Sequence, residues 1–218
     1  MIKKDYDKNR KLYEFFLKLG IPILNDFILK KIYDRDFFLE GETLKQDSAA
    51  KVAEVISRSI DFHSVFDIGC GMGIYLEQFR RIGKETLGCD FSVDGLGASS
   101  QSLTIFQADA TKPISLNRKY DLLICFEVAE HILNKHSHQL VKNCTKNGRT
   151  ILFTAAPVGQ GGVGHINEHP YEFWISLFKK EGFSYDIETS ASLRTEMKND
   201  NVVFWIANNL MLFRDCRI

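Results

Sequence analysis

The sequence predicts an α/β domain built on a mostly parallel sheet, and three observations support that prediction. Apolar runs of strand length alternate with helical patterns from Val65 onward. Three glycines, Gly69, Gly71 and Gly73, follow the first run at every second position. Acidic residues stand at or just after the ends of the next three runs. Strands that alternate with helices form right-handed β–α–β units, so neighbouring strands run parallel.

The composition is that of a globular protein without a charge bias. The 218 residues are 44% hydrophobic, and 28 basic residues balance 28 acidic ones. Nucleic-acid-binding proteins usually carry a basic excess, so we expect no nucleic-acid partner. Five cysteines without a C-x-x-C pair indicate free thiols in a reducing compartment. Residues 1–11 contain no apolar segment, so we expect no signal peptide. No apolar run approaches about 18 residues, so we expect no membrane contact. We expect a cytoplasmic protein that is a monomer or a homodimer.

A helical extension is predicted before the sheet. Apolar residues recur at helical spacing in 12–19 and 24–32, and a third helix is predicted over 44–59. We expect residues 1–45 to form a helical extension that docks on the domain or acts as a lid. Residues 46–218 would form the main domain.

The rest of the chain alternates between strands and helices. Strands are predicted at 65–69, 85–90, 103–107, 121–126 and 150–155, and later at 183–190 and at 201–207 or beyond. Helices are predicted at 73–82, at 171–181 and, as one or two helices, over 128–146. The segment 91–101 is a poor helix because it contains Gly95 and Gly97. A glycine-rich loop covers 157–170.

Ligands of an open parallel sheet bind beyond the carboxyl ends of its strands, where this sequence places its glycines and acids. The glycines of Gly69–Gly73 let the backbone approach a ligand, and the next helix offers N–H groups to an anion. Asp90 ends the second strand and can accept from ribose hydroxyls. Asp109 follows the third strand and can accept from an exocyclic amine. Together they describe an adenosine-containing ligand with an anionic tail.

The pattern Asp67-x-Gly69-x-Gly71-x-Gly73 separates two ligand classes. A dinucleotide fingerprint needs its last glycine where this chain has Ile74, and no Gly-Lys-Ser/Thr of a phosphate loop is present. The pattern resembles motif I of class I S-adenosylmethionine (SAM) methyltransferases, with acids at family-consistent intervals. The resemblance implies a Rossmann-like, seven-stranded sheet with helices on both faces, and SAM as cofactor with S-adenosylhomocysteine (SAH) as product. It implies cofactor contacts from Asp67, Gly69, Cys70, Gly71, Asp90, Phe91, Asp109, Ala110, Phe126 and Glu127.

Two further motifs extend the resemblance, the first to an element of many of these enzymes and the second to a loop of a narrower group. Phe126–His131 resembles the E-V-x-E-H element after the fourth strand, and Gly159–Glu168 resembles a G-Q-G-G-x-G-H-x-N-E loop followed by an aromatic-Trp pair. The chain departs from the group at His169-Pro170, where Gln-Trp-Pro or Gln-Pro is frequent. Members often lie among genes for glycan or small-molecule tailoring, which implies a small-molecule or glycan acceptor.

A hydroxyl acceptor needs a base for its proton, and histidine suits neutral pH. His131, His165 and His169 lie near the binding edge, and we favour His165, with His131 second, as catalytic residues. The alternative is that His165 only shapes its loop and that His131 only bonds a neighbouring carboxylate. Glu127 could contact SAM or cap the following helix.

The favoured activity is O-methylation of a sugar, a glycan precursor or another small hydroxylated metabolite. N-methylation of a small amine or amide is the nearest variant, and a SAM-binding partner without turnover is the last alternative. Glu127, Glu130 and His131, with a histidine of 165–169, also resemble the metal ligands of small-RNA 2′-O-methyltransferases. The same E-V-x-E-H element occurs in metal-free enzymes and the chain has no basic excess, so we expect no metal.

Overall fold

The structure, a computed structural model, describes residues 15–16, 19, 42–92, 102–162 and 164–217. The helices expected over 12–19 and 24–32 lie outside these residues apart from three positions, and most of 91–101 lies outside them too. No described helix is both long enough and apolar enough to cross a membrane.

Seven strands of the described residues form one sheet. They are β1 (Ser64–Ile68), β2 (Glu85–Asp90), β3 (Ile105–Gln107), β4 (Tyr120–Cys125), β5 (Gly148–Phe153), β6 (Phe183–Tyr185) and β7 (Met211–Asp215). Their order is β3-β2-β1-β4-β5-β7-β6. The pairs among β1 to β5 are parallel, and β7 pairs antiparallel with β5 and β6. The order reverses between β1 and β4, so a ligand crevice is expected at their carboxyl ends.

Helices pack on both faces of this sheet. In the described part of the chain they are α1 (Glu42–Ser59), α2 (Ile74–Arg81), α3 (Ser137–Asn147), α4 (Tyr171–Lys180), α5 (Ile187–Asn199) and α6 (Phe204–Asn209). Successive strand residues point to opposite faces. Leu122 and Ile124 of β4 therefore join a core with α1, α2, α5 and α6. Leu123 and Cys125 join a second core with α3 and α4. The expected Rossmann-like fold is confirmed.

Two predictions near the C-terminus need correction. The strand predicted over 183–190 stops at Tyr185 because Asp186 caps α5, with its side chain accepting a hydrogen bond from the N–H of Thr189 at 3.0 Å.

The last strand begins only at Met211, because residues 204–209 form α6. The apolar run before it resembles a strand, but within α6 Ile206 and Asn209 are three positions apart and both are buried. Helical spacing therefore decides the structure of this run.

The segment predicted as one or two helices over 128–146 contains one α-helix, which begins at Ser137. Two short 3₁₀ turns, Ala129–His131 and Asn134–His136, come before it. The residues between β4 and α3 therefore do not lie along one continuous helix axis.

Candidate active site

The glycine turn, residues Gly69–Gly73, leads from the carboxyl end of β1 into α2. The N–H of Gly71 donates to Oδ2 of Asp90 at 2.8 Å. Oδ1 of Asp90 accepts from the N–H of Ser92, also at 2.8 Å. The carboxylate that ends β2 therefore holds the turn that follows β1.

The backbone explains why glycine occupies both ends of the turn. Gly69 has φ 81° and Gly73 has φ 80°, which are left-handed values that side chains disfavour. A Cβ on Gly69 would lie 2.2 Å from Cγ2 of Val128, and one on Gly73 would lie 2.6 Å from Cδ1 of Leu103. The turn thus packs directly on the segment that follows β4.

Asp67, near the end of β1, and Cys70, in the glycine turn, are both buried. Asp67 is 2% exposed, and among the described residues its Oδ2 has no hydrogen-bond partner. Burial, and then the charge of Asp90, raise the pKa of Asp67 well above its ordinary value. Burial also raises the pKa of the Cys70 thiol. An orphaned buried acceptor is costly, so Asp67 suits a ligand that brings donors.

Phe91, Asp109 and Ala110 follow the neighbouring ends of β2 and β3. Oδ1 of Asp109 accepts from the N–H and the hydroxyl of Thr111 at 2.9 and 2.6 Å. Burial raises the pKa of Asp109, but bonds from Thr111 and Lys112 outweigh it and leave the pKa below its ordinary value. The carboxylate is therefore ionised at this edge of the sheet.

Phe126 and Glu127 follow β4. The Phe126 ring packs edge-on against Tyr75 with centroids 5.2 Å apart. Glu127 has φ 55°, and its N–H donates to the hydroxyl of Thr154 at 2.9 Å. Burial raises the pKa of Glu127 to about 7. Burial, then the charges of Asp67 and Glu127, raise the pKa of Tyr75, so Tyr75 lies within electrostatic reach of both carboxylates.

The docked loop, residues 157–170, is held against the segment after β4. The N–H groups of Ile166 and Asn167 donate to the carbonyl of Glu130 at 2.9 and 3.1 Å. Nδ2 of Asn167 donates to the carbonyl of Ala129 at 3.0 Å and to the hydroxyl of Ser137, the first residue of α3, at 2.9 Å. These bonds place a loop histidine beside the histidine that follows β4.

His131 and His165 face each other with ring centroids 5.0 Å apart and planes at 80°. Nδ1 of His131 lies 3.3 Å from the carbonyl oxygen of Gly164, and Nδ1 of His165 lies 3.1 Å from Oε1 of Glu168. Carbonyl and carboxylate oxygens only accept, so we infer that each Nδ1 carries the proton and each Nε2 keeps its lone pair. Burial, and then the nearness of a second imidazole at His165, lower the pKa of His131 to about 3.

Glu130 is fully buried beside these rings, and neither carboxylate oxygen has a hydrogen-bond partner among the described residues. Burial, then the charge of Glu127, raise the pKa of Glu130 well above its ordinary value. One ligand atom each from Glu130, His131 and His165 lie within 4.8 Å of one another. A carboxylate and two imidazoles suit a divalent transition-metal ion, so a metal-assisted alternative stays open.

The predicted residues thus form two groups, one around the glycine turn and one around His131 and His165. His169, the third histidine considered, stacks on Phe173 with centroids 3.8 Å apart. Sequence reasoning assigned no role to Tyr75 or Thr154, whose positions depend on packing between separate elements. These long-range contacts leave no local signal in the sequence.

A family model described as a methyltransferase domain matches residues 38–200. The chain belongs to this family. The match covers all the predicted site residues, and the predicted membership of the methyltransferases is confirmed at this level.

One curated relative of this methyltransferase is the ubiquinone biosynthesis O-methyltransferase of Glaesserella parasuis serovar 5. The two are 34% identical over 92 residues, which are 37% of this chain and 38% of the relative. The chain spans about two fifths of the length of the first curated relatives it matches.

Two solved structures share the fold of this methyltransferase. One is SAM-bound CalS10, an amino pentose methyltransferase from Micromonospora echinaspora (TM-score 0.60, 12% identity, 81% of this chain and 93% of that one). The other is the sugar N-methyltransferase KedS8 from Streptoalloteichus (TM-score 0.58, 13% identity, 69% and 85%).

The glycine turn fits SAM, the cofactor that the resemblance to motif I implies. Glycines leave no side chain between the backbone and a ligand. The orphaned Oδ2 of Asp67 offers an acceptor to a cofactor that carries ammonium, hydroxyl and amine donors. Oδ2 of Asp90 accepts from Gly71 and Oδ1 accepts from Ser92, and a carboxylate oxygen can accept two hydrogen bonds.

Proposed function

We propose that this methyltransferase methylates a hydroxyl group of a sugar, a glycan precursor or another small hydroxylated metabolite. The observation that carries the proposal is the position of His165, whose Nδ1 lies 3.1 Å from Oε1 of Glu168. A proton on Nδ1 would leave the lone pair on Nε2. A base in this state can accept the proton of an acceptor hydroxyl.

SAM, when bound, supplies a methyl group on a sulfonium, which is already a good leaving group. The protein therefore mainly positions the two reactants. Asp67 would hold donors at the methionine end of the cofactor, Asp90 the ribose hydroxyls and Asp109 the exocyclic amine. Asp67 lies near the end of β1, Asp90 ends β2 and Asp109 follows β3, and these positions at the carboxyl edge of the sheet support the roles.

His165 and His131 would have different roles. A general base works best when its pKa lies near the operating pH, and His131, with a pKa of about 3, is a weak base. His131 would stay neutral and pack against His165, as the 5.0 Å separation of their rings supports. His165 is then the proton acceptor.

The proposal is tested with methyl-labelled SAM and a panel of hydroxylated sugars, amino sugars and catechols. For the acceptor that takes label, we expect His165→Ala to lower kcat by about 100-fold or more. SAH affinity, measured by calorimetry, should change little, because His165 lies in the docked loop. The exposed His63, before β1, gives the matched control His63→Ala, which should behave as wild type.

Unchanged turnover in His165→Ala would remove His165 as the base. Label that appears only on amino sugars would redirect the proposal to N-methylation, the activity in the name of KedS8. Full SAH affinity with no label on any acceptor of the panel would contradict the substrate class.

A second candidate is metal-assisted methylation of a ribose hydroxyl at an RNA end, favoured by the grouping of Glu130, His131 and His165 within 4.8 Å. A divalent ion there would bind a hydroxyl and lower its pKa. Mn²⁺ titration followed by electron paramagnetic resonance tests this. Tight stoichiometric Mn²⁺ that is lost in Glu130→Gln, with label transferred to short RNA only when Mn²⁺ is present, would favour the second candidate.

A further inference from the structure

Glu168 lies at the centre of the docked loop and organises it. Its Oε2 accepts from the N–H of Gly159 at 2.8 Å, and its Oε1 accepts from the N–H of Gly161 at 2.7 Å. Oε1 also faces Nδ1 of His165 at 3.1 Å. One carboxylate therefore connects the backbone at Gly159 and Gly161 to the candidate base.

The carboxyl group of Glu168 is ionised, which makes it a strong acceptor. Burial raises its pKa, but the bonds from Gly159, His165 and Gly161 outweigh burial and leave the pKa below its ordinary value. The side chain is 19% exposed, and that of His165 is 11% exposed, so the contact between them is largely shielded from water. Charge-assisted bonds of this kind are among the stronger ones in proteins.

We propose that Glu168 is the positioning residue of the catalytic base: it keeps the ring proton of His165 on Nδ1 and leaves Nε2 free to take the acceptor proton. This rests on the proposed function, in which His165 is the base. When the methyl group moves, the acceptor oxygen forms the new C–O bond and the methyl–sulfur bond breaks, with the electron pair staying on sulfur. The hydroxyl proton goes to Nε2, and the resulting imidazolium is stabilised by the Glu168 carboxylate.

The backbone around Nε2 supports this orientation. A Cβ on Gly162 would lie 2.3 Å from Nε2 of His165. Any side chain at position 162 would therefore collide with the ring nitrogen that must meet the acceptor. Glycine at position 162 therefore lets this edge of the His165 ring pack against the backbone, which fixes the position of the ring.

The decisive variant is Glu168→Gln, which keeps the size of the side chain. Glutamine has one acceptor oxygen and an amide group that only donates, so it cannot satisfy donors at both oxygens as the carboxylate does. The exposed Glu172, in the first turn of α4, provides the matched control Glu172→Gln.

The first readout is the tautomer of His165, from ¹⁵N shifts of the ring in the SAH complex, with the signal assigned by its absence in His165→Gln. We expect the Nδ1–H tautomer in the wild type and in Glu172→Gln, and a large Nε2–H population in Glu168→Gln. The second readout is kinetic, with kcat about 10- to 100-fold lower in Glu168→Gln. Its KM and SAH affinity should remain close to wild type.

Three results would overturn the proposal. The first is a wild-type His165 that is mainly the Nε2–H tautomer, a measurement that needs no variant to fold. The second is an unchanged tautomer in Glu168→Gln. The third is a loss of kcat that is matched by loss of SAH affinity and of melting temperature, as for a purely structural residue. If His165→Ala keeps its turnover, the base assignment fails too, which distinguishes that failure from a failure of Glu168 alone.

Discussion

The glycine turn and the docked loop approach the same edge of the sheet, but they are held in different ways. Backbone shape and neighbouring strands hold the turn: glycines at positive φ and a bond from Gly71 to Asp90 at the end of the adjacent strand. Backbone and side-chain bonds together hold the loop: the N–H and the Nδ2 of Asn167 donate to carbonyls of the segment after β4, and Glu168 accepts from the loop's own N–H groups. Under the proposed function, the turn forms the cofactor site and the loop positions the base.

The two regions meet where the turn packs on the segment after β4, and Gly69→Ala tests that contact. A Cβ would lie 2.2 Å from Cγ2 of Val128, and φ is 81°. Left-handed strain and overpacking add, so we expect the free energy of unfolding to fall by about 3–5 kcal/mol. Urea denaturation measures this loss, and SAH affinity should fall with it.

Gly83→Ala separates the two causes. Gly83 has the same φ of 81°, but among the described residues no atom beyond its chain neighbours lies within 4 Å of an added Cβ. Only the strain of about 1–2 kcal/mol should remain there. In Gly69→Ala, the further change Val128→Ala should recover the part that comes from overpacking. Equal losses at both glycines would show that the turn does not press on the segment after β4.

Glu127→Gln tests the buried carboxylates beside the docked loop. The pKa of Glu127 is raised to about 7, so the folded state holds its proton more tightly than the unfolded chain. Stability from this group is therefore present at low pH and is lost as pH rises from the ordinary value to about 7. Glutamine does not titrate and so removes that loss. We expect the free energy of unfolding of the variant, relative to that of the wild type, to rise by about 2 kcal/mol between about pH 5 and about pH 8.

The measurement is the free energy of unfolding of ligand-free protein across this pH range. Glu188→Gln, at an exposed position in the first turn of α5, is the control, and its difference from the wild type should stay nearly constant. A constant difference for Glu127→Gln as well would mean that burial does not raise the pKa of this carboxyl group.

How much the sequence could predict follows the same division. Gly69 and Asp90 were assigned from spacing alone, because a turn after a buried strand and an acid at the next strand end are local patterns. The 3₁₀ turns after β4 were not predicted, since the bonds from the docked loop to the Glu130 carbonyl compete with a continuous helix. The bond between Glu168 and His165 depends on how the loop folds, and periodicity carries no information about that.

Asp90→Asn should have a smaller effect, which sharpens the account of the turn. Asparagine keeps one acceptor oxygen but presents an amide donor to either Gly71 or Ser92, so the bond from one of these two N–H groups is lost. We expect SAH affinity, measured by calorimetry, to fall about tenfold while the fold persists.

Asp109→Asn is the comparison, since Oδ1 can still accept from Thr111 and the lost ion pair with Lys112 is exposed. The SAH affinity of Asp109→Asn should fall by about threefold or less. A larger loss at Asp109 than at Asp90 would mean that the cofactor is held mainly at the end of β3, and that the bond from Asp90 to the glycine turn is not what prepares the site.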